Sequence, residues 1–234
     1  MSNLTPPLYI VIVEVSVCVI LFYINLQMWN KYRTKKKVEV LYLTLNFNFY
    51  LIATILSFVG VLLDYLKIQP EIGHYKEFLV SLGGVALLLS SFFLFAFIQD
   101  IFLEDQSRLL FISRFFVGLM SGLFLGNISF IETVVRTRLS AITYLFCTII
   151  NLYFTILSLK EIYRTKEKEI ILGYLFLSLY SFFTLIIFAL FVITVISGDH
   201  YGITYILGWT LGLISSFCGY IGIFRPKSIY KFLI

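Results

Sequence analysis

The chain has 234 residues, of which 60% are hydrophobic and only 13% charged, and its mean hydropathy is +0.96. So little polar material cannot cover a soluble globule, and long apolar runs point instead to a bilayer. The net charge of +5 is small and sits in loops, which disfavours nucleic acid as a partner and fits positive charge beside anionic lipid.

The N-terminus, MSNLTPPLYI, has no Lys or Arg before the first apolar run. A cleavable signal needs a basic start and a short core, so the first run is expected to remain as a span. Seven apolar segments follow in order: Leu8–Trp29, Val38–Leu66, Phe78–Phe102, Leu109–Glu132, Ser140–Leu159, Ile170–Ile196 and Tyr201–Phe224. They lack the two-residue alternation of barrel strands, and helices satisfy every backbone group within lipid. The expected fold is all-α: one integral membrane domain over residues 1–234, built as a bundle of seven transmembrane helices.

With the N-terminus outside, the outer Lys and Arg are Lys67, Lys76, Arg136 and Arg138, and all others fall inside. The positive-inside rule then predicts an outer N-terminus and a cytoplasmic C-terminus in the plasma membrane. Tyr9, Tyr65, Tyr75 and Tyr201 near the outer ends, and Tyr32, Tyr163 and Tyr230 near the inner ends, form the expected aromatic belts.

Polar groups inside a membrane are costly and mark the first place to look for function. Glu14 lies ~8–9 Å below the outer end of span one. It could stay ionised only beside a cation or strong donors. Span two carries Asn46, Tyr50, Thr54, Ser57, Gly60 and Asp64 on one helical face, and span five carries Ser140, Tyr144, Thr148, Asn151, Thr155 and Ser158 likewise. Such facing stripes hold either helix-to-helix hydrogen bonds or a ligand. Glu132, Arg136 and Arg138 cluster on the outer side, where an acid–arginine pair with Glu14 or Glu132 would frame an outer pocket for an anionic or polar ligand. The other reading is a lid of solvated loop charges.

On the inner side Asp100 and Glu104 end span three, and Arg114 stands inside the apolar start of span four. An ion pair across that turn would act as a structural lock or as a switch. Span four also places Gly118, Gly122 and Gly126 at spacing four. No strand precedes them and no Lys-Ser or Lys-Thr follows, so they do not form a phosphate loop. Small-residue faces let helices approach closely in lipid. Here, and at Gly208 and Gly212 in span seven, the face serves packing within the chain or a homodimer contact.

Cys18, Cys147 and Cys218 fall inside spans and read as packing residues. His74 and His200 fall in outer loops and read as exposed, so no metal or other cofactor is expected. Span seven has no lysine for a retinal Schiff base, and no hydrolase or metalloprotease motif occurs. The chain is therefore expected not to be an enzyme. YRTKKK at Tyr32–Lys37 and YRTKEK at Tyr163–Lys168 follow spans one and five on the same side, which predicts a 3+1+3 parallel repeat. Arg33, Lys35, Lys36, Lys37, Arg164 and Lys166 in these turns would form a surface for a cytoplasmic or membrane protein partner.

The basic turn MWNKYRTKKK and the exit GYIGIFRPKS, set in this seven-span layout, resemble the seven-transmembrane sensor modules of prokaryotic histidine kinases. The resemblance implies ligand sensing by the bundle and output through cytoplasmic surfaces. The chain ends at Ile234 with no kinase domain, so output is expected through a separate partner. The 3+1+3 pattern also resembles the sugar and PQ-loop carriers, although Pro6, Pro7, Pro70 and Pro226 all lie outside the middles of the spans. The expected function is a receptor or sensor for an unknown small ligand. The alternatives are a small-solute or ion-coupled carrier and a structural subunit of a larger membrane complex.

Overall fold

The computed structural model of the protein describes residues 6–68, 75–102, 114, 116–119, 121–122, 133–197 and 202–224, with only the backbone at 75–77, 80 and 133–137. Among the described residues six long helices carry the architecture: α1 (Leu8–Lys35), α2 (Val38–Tyr65), α3 (Tyr75–Phe102), α4 (Thr133–Arg164), α5 (Lys168–Ser197) and α6 (Ile203–Phe224). Each contains a stretch long and apolar enough to cross a bilayer, and the described residues contain no strand. The protein is a multi-pass α-helical membrane protein.

Helices of 28 residues, such as α1 and α2, reach ~42 Å at 1.5 Å per residue. That exceeds the ~30 Å hydrocarbon thickness, so their ends extend beyond it, and there Arg33 and Lys35 occupy the last turn of α1. The turn after α1 is abrupt. Lys36 adopts φ 49°, a left-handed conformation uncommon for a non-glycine residue, and its N–H bonds Tyr32 O at 2.7 Å. Lys37 is extended and begins α2.

The helices form a ring in which each packs on its sequence neighbour and α6 closes on α1. Contacts fix the directions. Glu14 meets Ser57 and Asn25 meets Phe47, so α1 and α2 are antiparallel. The same holds for α2 and α3 (Asn46 with Ser90, Tyr42 with Phe93), for α4 and α5 (Asn151 with Ser181, Tyr144 with Phe191) and for α5 and α6 (Thr184 with Ser215, Thr194 with Thr204).

Two seams are parallel instead. Ser91 meets Cys147 and Phe97 meets Phe154 between α3 and α4. Glu14 meets Tyr205, Tyr23 meets Tyr220 and Lys31 meets Ile223 between α1 and α6. The ring thus consists of two halves, α1–α3 and α4–α6. Phe102 lies against Phe154, while Thr133 begins the same helix α4 ~32 Å away along its axis. Phe102 and Thr133 therefore stand at opposite ends of the bundle.

Most of the predicted fourth span, Leu109–Glu132, lies outside the described residues. Its helical piece at 116–119 packs between α3 and α4, with Phe116 on Phe146 at 4.5 Å between ring centroids and Val117 beside Leu88 and Leu139. Helix α4 starts at Thr133 rather than Ser140. The expectation that Arg136 and Arg138 sit in a loop is therefore corrected: both lie within a helix, whose hydrogen-bonded backbone continues beyond the apolar run.

Aromatic side chains fill the centre of the ring. Phe47 packs on Tyr180 across it at 5.5 Å, in one core with Phe154, Phe188 and Trp209. Glycines let α6 approach its neighbours. A Cβ on Gly222 would lie 2.9 Å from Leu177 N and 3.1 Å from Gly173 O, both backbone atoms of α5. Cβ atoms on Gly208 and Gly219 would meet the rings of Phe191 and Tyr180 at 2.7 and 2.9 Å, and Gly212 faces Val17 of α1. Gly118 and Gly122 differ: both are exposed, and a Cβ there would meet nothing within 4 Å among the described residues. Among the described residues nothing packs tightly against these two positions. Gly126 lies outside the described residues.

Candidate functional site

Three residues of the predicted polar stripes, Asn46, Ser57 and Asn151, hydrogen-bond to other helices. Asn46 Nδ2 donates to both Ser90 O and Ser90 Oγ at 2.9 Å, joining α2 to α3. Asn151 Nδ2 donates to Cys147 O at 2.8 Å, while its own carbonyl O accepts from Ser181 Oγ at 2.6 Å. Asn25, on α1, donates to Leu21 O and to Phe47 O of α2. Thr54, Thr148 and Thr155 return their hydroxyls to the carbonyl four residues earlier, a common way to satisfy a hydroxyl inside a helix. The asparagine donors join neighbouring turns and helices, while Asn25 Oδ1, Asn46 Oδ1 and Ser158 Oγ are buried with no partner among the described residues.

Glu14 is different. It is fully buried on α1. Its Oε1 accepts from Tyr205 Oη at 2.5 Å and from Ser57 Oγ at 3.5 Å, and the two hydroxyls stand 3.4 Å apart. Three helices from both halves of the ring thus converge on one carboxyl oxygen. The other oxygen, Oε2, is buried with no hydrogen-bond partner among the described residues. A buried polar atom without a partner is costly, and here it belongs to an acid group.

An aromatic shelf lies beside the acid. Tyr205 contacts Trp209 at 6.2 Å and Phe191 at 5.9 Å, and Phe191 in turn meets Trp209 and Tyr144. Tyr144 on α4 is thereby linked to the Glu14 cluster through one ring. Tyr50 is buried two turns along α2 from Ser57, on the side of the aromatic core. Asp64 is half-buried two turns beyond Ser57 the other way, near the end of α2.

The arginine partner expected for Glu14 is not Arg138, which is exposed on α4 across the ring from α1. Hydroxyls supply the donors instead. Glu132 and the side chain of Arg136 lie outside the described residues. At the opposite end Asp100 and Arg114 are both exposed and form no ion pair with each other among the described residues, and Glu104 lies outside them. Arg33, Lys35, Lys36, Lys37 and Lys166 are exposed at the ends of α1 and α4, beside Arg164, which pairs with Glu161 at 3.1 Å.

The sequence reading missed Tyr205, Trp209 and Phe191. No spacing signal could have found them, because their relation to Glu14 depends on how α6 closes against α1. Comparison of the chain with family models, with curated proteins and with solved structures finds no match in any of the three. The chemistry of the site is therefore what bears on function.

Proposed function

We propose that the protein is a non-enzymatic receptor or sensor of the plasma membrane with seven spans, an outer N-terminus and a cytoplasmic C-terminus. Its small polar ligand is recognised at Glu14. The observation that carries this reading is the buried carboxyl whose Oε1 is held by hydroxyls of two other helices while Oε2 has no partner among the described residues. A ligand donor would complete Oε2, and the aromatic shelf of Tyr205, Trp209 and Tyr144 would cover its apolar part.

A seventh crossing by residues 109–132 is supported by the separation of Phe102 from Thr133 along the bundle. The orientation is supported by the basic turns Arg33–Lys37 and Arg164–Lys166 sharing one end. Output runs through that end. Helix α1 touches α6 both at Glu14–Tyr205 and at Lys31 Nζ–Ile223 O, the latter 2.9 Å. A shift of α1 against α6 at the acid therefore reaches the basic turn through a continuous helix. A separate protein partner would read that turn, as in the sensor modules the layout resembles.

The two parallel seams favour a second reading, a 3+1+3 carrier, because they relate the halves as a parallel repeat would. The continuous helices and the aromatic centre weigh toward the receptor. A thermal-shift screen of polar solutes on the purified full chain tests the choice. A solute that stabilises the wild type but not Glu14→Gln, and that shows no counterflow uptake in proteoliposomes, fits a receptor. Counterflow of that solute identifies a carrier.

A further inference from the structure

At the basic end, far from Glu14, a cavity of about 620 Å³ opens among α1, α2, α3, α5 and α6. Its size is that of a site for a ligand of several hundred daltons. Among the described residues Lys31, Lys35 and Lys37 and the acid Glu39 line it, while Leu43, Phe97 and Leu177 supply apolar wall. The position of Lys31 is unusual. A lysine near a membrane surface normally extends its ammonium into water. Lys31 Nζ instead donates to Ile223 O at 2.9 Å and stands 5.4 Å above the Phe224 ring, fixed at the cavity wall.

We infer that this cavity binds an anionic phospholipid, with the phosphate among Lys31, Lys35 and Lys37 and one acyl chain between Leu43, Phe97 and Leu177. An anion suits the excess of lysine over glutamate among the described lining residues, and an acyl chain suits the walls. The location at the end of a membrane bundle supplies such a lipid from the adjacent leaflet. A choline headgroup adds a positive charge and gains less there. The assignment stands independently of the reading of Glu14.

The test uses the full chain in nanodiscs of mixed palmitoyl-oleoyl phosphatidylglycerol and phosphatidylcholine, followed by native mass spectrometry of retained lipid. The wild type is expected to retain phosphatidylglycerol about tenfold over phosphatidylcholine. The double variant Lys35→Gln/Lys37→Gln should bring the two near parity. Leu43→Trp, which fills the cavity without changing charge, should lower retention of both lipids, and Val40→Phe replaces it if Leu43→Trp does not fold. Lys36→Gln, in the same turn but outside the cavity lining, should match the wild type. Equal retention of both lipids by the wild type would overturn the inference. So would an equal loss in Lys36→Gln, which would indicate diffuse surface attraction, or full displacement by millimolar inorganic phosphate, which would indicate a free-anion site.

Discussion

The Tyr205 hydroxyl donates to Glu14 Oε1 across 2.5 Å and ties the last helix of the ring to the first. Ser57 adds a hydroxyl from α2, so the acid gathers both halves of the bundle at one oxygen. The α1–α6 seam thus closes around a buried acid.

Removing the donor should be costly. Tyr205→Phe leaves Oε1 of a buried acid with only the longer Ser57 contact, and the expected loss is about 1–3 kcal/mol. In a Glu14→Leu background the same change should cost much less, giving a coupling of about 0.5–3 kcal/mol. Unfolding of the four proteins in one detergent measures it, and additive effects would show that the contact contributes nothing of its own.

The glycines divide into two classes that spacing alone does not distinguish. Gly222→Ala places a methyl against the α5 backbone at Leu177 N and Gly173 O, neither of which can turn aside as a side chain can. A loss of about 1–3 kcal/mol is expected from overpacking. Gly118→Ala and Gly122→Ala meet nothing among the described residues and should be neutral or gain up to ~1 kcal/mol of helix propensity. Melting temperatures of the three variants provide the comparison. A loss at Gly118→Ala accompanied by a shift from dimer to monomer would assign that face to a second copy.

The interior amide and hydroxyl bonds should each count for little. Thr184→Val removes the 2.7 Å contact with Ser215, yet Ser215 keeps its bond to Tyr180 O. A cost near ~0.6 kcal/mol, and no more than ~2, is expected for a bond of this kind in a membrane bundle. Unfolding of Thr184→Val beside Asn46→Leu measures both, and a cost several times larger would move these residues from packing to function.

The topology yields to single-cysteine labelling in intact cells, in a protein whose Cys18, Cys147 and Cys218 are replaced by Ala. A cysteine at Lys36 should resist a membrane-impermeant maleimide, and one at Lys67 should react. The opposite pattern would reverse the orientation, and reaction at both sites would break the expected span between them.

Much of the fold was legible because lipid imposes a simple demand. Each span needs about 20 apolar residues, and α1, α2, α3, α5 and α6 fall on predicted runs, with the turn at Lys36–Lys37 marked by its basic cluster. Helix α4 contains the predicted run Ser140–Leu159 but begins earlier, at Thr133, because a helix can carry Arg136 and Arg138 outside its apolar run without losing its backbone hydrogen bonds. The site was half legible. Glu14 stands out as an acid in an apolar run, and Ser57 lies on a visible polar face. Tyr205 does not, since an aromatic ring on an apolar helix looks alike whether it touches lipid or an acid. Rotation about the helix axis decides which, and tertiary packing sets it. The same rotation separates Gly208, packed on Phe191, from the exposed Gly118.

The most direct measurement of the central claim is native mass spectrometry of the wild type and Glu14→Gln, released gently from their own membranes. The wild type should carry a discrete small mass that Glu14→Gln lacks, separate from any lipid mass lost in Lys35→Gln/Lys37→Gln. Retention of the same small mass by Glu14→Gln would contradict the assignment of the ligand site to this carboxyl. A stable assembly with other polypeptides and no small mass would contradict the receptor reading itself.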